Sequence, residues 1–235
     1  MGNLKRIILV ALTVVGCCVL LAGCSSTTPS QTADSFLQAM KAQDTESMAK
    51  YYSGDASDLA GSWLNESVGG DIDGSGDLTD DEKAVMQKFA GKLCDFDYEL
   101  GDEKVDGNNA TVNVSVTTYD FGEAVDNALK DYLEEALAQA FSGKELSTAK
   151  SNKIFYKAFG KQLDKLTDKS VQTDAQLSLT KGDDGSWKVS ELDNDAVNAL
   201  TGQLLDKVQE YEKAFSGSSS SSSSTGPKSS SGSAD

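Results

Sequence analysis

Apolar positions in this chain alternate between two spacings, and the changes mark its elements. From Thr32 to Tyr52, Ala33, Phe36, Leu37, Met40, Met48 and Tyr51 recur every three or four residues, the period of a helix with one apolar face. Gln43-Asp44 marks a bend or a second start, with Asp44 as N-cap, and Gly54 is the expected stop. Asp55 to Asp77 is weakly patterned. Leu59, Trp63, Leu64 and Val68 predict one short helix there, ended by Gly69-Gly70. Thr79 to Leu93 returns to helical spacing, with Val85, Met86, Phe89 and Leu93 on one face.

The period then drops to two. Phe96, Tyr98 and Leu100 alternate with acids, Asp106-Gly107-Asn108-Asn109 is a turn, and Ala110, Val112, Val114 and Val116 alternate with polar residues. This predicts a hairpin with one buried face. Phe121 to Phe141 is a strongly amphipathic helix with Val125, Leu129, Tyr132, Leu133, Ala136, Leu137 and Ala140 in a wide stripe, ended by Gly143. Leu146 to Leu166 is a second helix through Ile154, Phe155, Ala158, Phe159 and Leu163, so the two make a helical hairpin inserted between strands. Val171 to Leu179 alternates again, Lys181 to Gly185 turns the chain, and Trp187 and Val189 lie on a last strand. A single closing helix is expected from about Asp195 to Phe215, with Val197, Leu200, Leu204, Val208 and Tyr211 in register. The predicted fold class is α+β: N-terminal helices packed on a curved, cone-like antiparallel sheet, with an inserted helical hairpin and a C-terminal helix.

The two ends of the chain do not share this pattern. Lys5 and Arg6 precede an apolar run from Ile7 to Ala22, and small residues lead into Cys24; that order is a secretory signal. The run is a little short of the roughly twenty residues a spanning helix needs. The ending Leu21-Ala22-Gly23-Cys24 resembles the lipobox of bacterial lipoproteins. The resemblance implies cleavage before Cys24 and a thioether link from its sulfur to diacylglycerol. Residues 216–235 are serine-rich and almost without apolar side chains, too polar to offset the entropy of ordering, so a disordered tail is expected. The expected organisation is a signal peptide at 1–23, a lipidated tether at 24–30, one α+β domain at 31–215 and the tail at 216–235.

The helix "ADSFLQAMKAQDTESMAKYYSGD", the hairpin end "DGNNATVNVSV" and the last strand "DDGSWKV" complete a recognisable outline. Over about residues 30 to 192 it resembles small lipoproteins of Gram-positive bacteria with a nuclear-transport-factor-2-like (cystatin-like) domain, a group largely of unknown function. The resemblance implies a sheet curved around a helix into a cone. Enzymes on that fold isomerise or dehydrate small apolar molecules with Asp, Tyr or His lining the cone. The hairpin at 121–166 and the closing helix exceed what the compact fold needs.

Charge and composition narrow the functions. The 235-residue chain has a formal charge of −16, and loss of Lys5 and Arg6 with the leader takes it to −18. Such a chain is repelled by nucleic acid and by anionic headgroups, so attachment falls to acyl chains, each contributing about 0.8 kcal/mol per buried methylene. The absence of histidine removes Ser-His-Asp and Cys-His catalysis and His-ligated zinc. After processing Cys94 is the one thiol left free, so no intramolecular disulfide can form.

One stretch carries candidate metal chemistry. Asp71 to Glu82 fits the twelve-residue EF-hand calcium loop, with Asp71, Asp73, Ser75, the Asp77 carbonyl, Thr79 and Glu82 as ligands, Gly76 at the sharp turn and Leu78 packing inward. The competing reading is a capping box: Thr79 and Glu82 start the next helix, while Asp and Gly fill the turn. Tyr98 and Tyr119 are the side chains that point into the cone if it holds a site, against the simpler reading of both as core.

The functional expectation is a non-catalytic, lipid-anchored extracytoplasmic binding module for a small ligand, a peptide or an envelope protein, on the outer leaflet of the cell membrane. A homodimer through the open sheet face is compatible with it. The alternatives are a structural or calcium-responsive envelope component using the acidic loop, and an isomerase or dehydratase on the same fold.

Overall fold

A computed structural model describes residues 27–54, 78–143, 145–190 and 192–218. The leader, Cys24, the short helix at 59–68, the loop residues 71–77 and the end of the tail lie outside the described residues.

Helix α1 spans Pro29–Lys41, and its N-cap Thr28 forms a capping box with Gln31. Helix thus begins inside the stretch expected as tether. Asp44 caps helix α2 (Thr45–Tyr51), accepting from the Ser47 amide at 3.0 Å. Between the two helices Gln43 takes a positive φ of 55°, the break foreseen at Gln43-Asp44. Helix α2 ends before Gly54, because Tyr52 is extended and bridges to Val189.

Helix α3 covers Asp80–Leu93. Four antiparallel strands follow in the order β1 (Asp97–Asp106), β2 (Asn109–Thr118), β3 (Val171–Lys181) and β4 (Trp187–Val189). Helices α4 (Phe121–Phe141) and α5 (Thr148–Lys165) leave the sheet after β2 and return to β3, its direct neighbour. This is the inserted helical hairpin read from the sequence.

The α+β class holds: helices pack on one face of a four-stranded sheet that remains open. Register explains the face. Val112 pairs with Leu177, Val114 with Ala175, and Ala110 with Leu179, so one apolar row crosses the sheet. Helix α1 covers that row with Ala33, Phe36 and Leu37, and Trp187 and Val189 join it. Edge strand β1 slips register between Leu100 and Glu103, and beyond the slip Val105 is exposed.

A second core forms mainly between helices. Phe89 and Leu93 of α3, Phe121 and Ala128 of α4, and Phe159 and Leu163 of α5 are buried together. Phe89 lies 5.3 Å from Phe121 and 5.4 Å from Phe159, ring centre to ring centre.

The closing helix departs from expectation. It is two helices, α6 (Asn194–Leu200) and α7 (Leu204–Ser218), parted at Thr201-Gly202-Gln203. Gly202 has φ +52°, and a Cβ there would stand 1.9 Å from the Tyr119 carbonyl oxygen, so the chain can pass Tyr119 only as glycine. The break assigns α6 to the sheet core, through Ala196, Ala199 and Leu200, and α7 to the helical core, through Leu204. Helix α7 runs on to Ser218, three residues into the stretch expected as tail.

Candidate functional site

The two cores meet around Tyr119, immediately after β2. Its hydroxyl donates to Asp95 Oδ2 at 2.7 Å, and Lys92 Nζ stands 4.3 Å over its ring. Lys169, just before β3, bridges Asp95 at 2.8 Å and Asp97 at 2.9 Å, and Lys41 of α1 reaches Asp97 at 3.4 Å. The bond from Lys169 and then that from Tyr119 hold the Asp95 carboxyl below its ordinary value; Lys169 does the same for Asp97. The Tyr119 phenol is raised, first by its bond to Asp95 and then by burial. A base or acid poised near neutrality needs the opposite arrangement, with a carboxyl raised by burial. As built, the cluster clamps α3, β1, α5's exit and α1 together.

Tyr98, the other inward candidate, donates to Asp34 Oδ1 of α1 at 2.7 Å, and burial followed by this bond pushes its phenol up to about 12. Both tyrosines therefore secure one element to another.

Of the six residues read as calcium ligands, Thr79 and Glu82 lie among the described residues, and there the capping-box reading is the one observed. Thr79 and Glu82 form the capping box of α3: the Glu82 amide donates to Thr79 Oγ1 at 3.4 Å, while Glu82 Oε2 accepts from the Thr79 amide and hydroxyl, both at 2.8 Å. Glu82 is 8 % exposed, so that oxygen is committed to the cap. Asp71, Asp73, Ser75 and Asp77 lie outside the described residues, as does the lipidation residue Cys24. Among the described residues no group of three or more His, Cys, Asp or Glu is placed to hold a metal ion.

The outer face of the sheet is polar, and none of the described helices packs on it. Gln176 donates to Asn113 at 2.8 Å and Gln172 to Ser115 at 3.0 Å, a ladder of amides and hydroxyls across β2 and β3. An open depression of about 610 Å³ adjoins this ladder: Glu99, Asn113, Asp174 and Gln176 line it together with Leu100, Val114 and Ala175 of the core-facing row and with Asp193 and Asp195 at the head of α6. The alternation of β2 and β3 signals this polar row, since every second residue must leave the core.

The wide stripe of α4 is covered only in part. Phe121, Ala124 and Ala128 are buried, but Leu133, Leu137 and Phe141 are 48 %, 56 % and 89 % exposed. Among the described residues no helix is long and apolar enough to cross a membrane.

No protein-family model matches the chain, and no curated protein matches it. One solved structure does, the crystal structure of ycdA from Bacillus subtilis, a protein provisionally named a lipoprotein. The identity is 13 %, the TM-score 0.48, and the match covers 72 % of this chain and 57 % of that one.

Proposed function

We propose that this protein is a lipid-anchored domain of the cell envelope, held at the outer leaflet through diacylglycerol on Cys24, and that it works by binding rather than turnover. The observation that carries the reading is the order Lys5-Arg6, an apolar run, and Leu21-Ala22-Gly23-Cys24. The helical cap at Thr28 supports it, because the folded domain then begins four residues after the anchored cysteine. At about 3.3–3.6 Å per residue, that stretch keeps the domain close to the headgroups. Binding is favoured over catalysis because Tyr98, Tyr119, Asp95 and Lys169 are each committed to bonds between elements. The polar outer face of the sheet is the surface left for a small polar ligand or peptide.

Metabolic labelling with palmitate, followed by intact-mass measurement, tests the anchor. The expected product starts at Cys24 and carries acyl chains, and Cys24→Ala abolishes the label. A mature chain that retains residues 1–23, or an unacylated Cys24, overturns the reading. Native mass spectrometry of the purified protein then looks for a ligand lost on Asn113→Ala or Gln176→Ala; no bound species, or one these changes leave in place, refutes the assigned surface.

A further inference from the structure

Among the described residues, the length of α7 sets where the covered part of α4 ends. Helix α7 runs along the same face of α4 and in the same direction: Gln203 and Lys207 lie against Gly122, and Tyr211 bonds Asp126. Ser218, the last residue of α7, is seven positions past Tyr211, as Leu133 is seven past Asp126. The two helices rise equally per residue, so α7 stops level with Leu133, and exposure climbs from there through Leu137 to Phe141. Positions 133, 137 and 141 repeat every four residues and form one ridge. The remaining tail, 219–235, holds Ala234 and Pro227 but no large apolar side chain, so it is a poor cover for the ridge.

The charge at this end is also unlike the rest. From Leu133, where the ridge begins, to Leu163 the chain holds Lys144, Lys150, Lys153, Lys157 and Lys161 against Glu134, Glu135 and Glu145, a local +2 in a chain of −16. Lys150, Lys153 and Lys157 are exposed and make no ion pair with an acid among the described residues, though Lys157 lines one depression with Glu134 and Glu135; Lys161 pairs with Asp131 at 3.0 Å. The repulsion from anionic surfaces expected of the whole chain is thus reversed at the tip of the helical hairpin.

We infer that this tip, Leu137 and Phe141 with Lys150, Lys153 and Lys157, docks on the surface of an anionic lipid bilayer. A stable protein interface needs about 800 Å² from each partner and some twenty or more residues a side, far more than a three-residue ridge supplies. A bilayer sets no such requirement: apolar side chains enter the headgroup boundary while lysines stay at the anionic surface. If Cys24 is lipidated as proposed, the protein touches the membrane at two places. Ser30 at the head of α1 bonds Glu103, toward the β1–β2 turn, whereas α4 leaves from the other end of β2. The molecule would therefore lie along the bilayer rather than stand on its anchor.

The test uses the unlipidated chain from Ser25 onward, which contains every described element, so it is independent of acylation. Sedimentation with phosphatidylglycerol vesicles is compared with phosphatidylcholine vesicles at low and high salt. The expected result is binding to the anionic vesicles that weakens with salt and falls at least tenfold in Leu137→Ser/Phe141→Ser and in Lys150→Glu/Lys153→Glu/Lys157→Glu. All five residues are exposed, and an unchanged melting temperature confirms that the variants fold. No binding to anionic vesicles, or binding indifferent to both variants, overturns the inference. So does a dimer, seen by analytical ultracentrifugation without lipid and lost in Phe141→Ser, which would assign the ridge to a second copy.

Discussion

Tyr119 and Asp95 meet where the helical core joins the sheet, the phenol donating to a carboxylate that Lys169 also holds. Tyr119 belongs to the helical core, and Asp95 lies between α3 and β1. One hydrogen bond and one lysine therefore fix how the two layers sit at their junction.

This junction predicts the acid behaviour of the protein. Asp95 and Asp97 have lowered values in the fold, so their contribution is present above the ordinary carboxylate value of about 4 and is lost as the pH falls through the lowered ones. Both side chains are more than half exposed, so Lys169→Met costs no more than about 1 kcal/mol at pH 7. The gap in stability between wild type and variant, followed by urea unfolding, closes as the pH is lowered below about 4. A gap that stays constant with pH would show that Lys169 contributes by packing alone.

Gly202 tests the division of the closing helix. Gly202→Ala places a methyl group against the Tyr119 carbonyl at a positive φ. The conformation alone costs more than about 1 kcal/mol, and the crowding adds about 1–3 kcal/mol. Gln203 also has a positive φ, of 67°, but is exposed, so Gln203→Gly is neutral or stabilising. Thermal melts of the two variants should move apart; equal melting temperatures would mean that α6 and α7 are free to shift past Tyr119.

These residues also show what the chain reveals on its face and what it conceals. Strands β2 and β3 were legible because the pleat forces alternation whatever the neighbours, and Val112, Val114 and Val116 keep it without a fault. The split at Gly202 was not, because Val197, Leu200, Leu204, Val208 and Tyr211 hold helical spacing across it although Leu200 serves one core and Leu204 and Val208 the other. Along α4 the apolar period is real, but a period does not tell where the helix packed on it ends. The clamp of Asp95 by Lys169, 74 positions apart in the chain, leaves no local trace, since only the tertiary fold brings the two together.

The capping box of α3 predicts a stability effect separable from metal binding. Thr79→Ala removes the acceptor for the Glu82 amide and the hydroxyl that bonds Glu82 Oε2, at a cost of about 1 kcal/mol. With Glu82 Oε2 committed to the cap, that loss has the same size with and without millimolar calcium. Melting curves in calcium and in chelator check it; a loss that grows in calcium would make Thr79 and Glu82 ligands as well as caps.

Tyr211 joins α7 to α4 through Asp126, and burial followed by that bond pushes its phenol up to about 12. An unfolded tyrosine ionises near 10. The folded value is the higher one, so the contribution of the neutral phenol is complete below pH 10 and is lost as the pH rises from about 10 through 12. Tyr211→Phe should therefore be less stable than wild type at neutral pH, with the gap closing across that interval. Ultraviolet titration of phenolate gives the same information directly, since Tyr98 and Tyr211 ionise near 12 and each phenylalanine variant removes one such group. Because α7 covers the first half of the face that carries Leu133, Leu137 and Phe141, loss of this bond should also expose more of α4. An environment-sensitive dye that binds apolar surface should then brighten in the variant at neutral pH and in wild type above pH 10. A dye signal unchanged by the substitution would show that packing at Gly122 and Leu204 holds α7 in place without Tyr211.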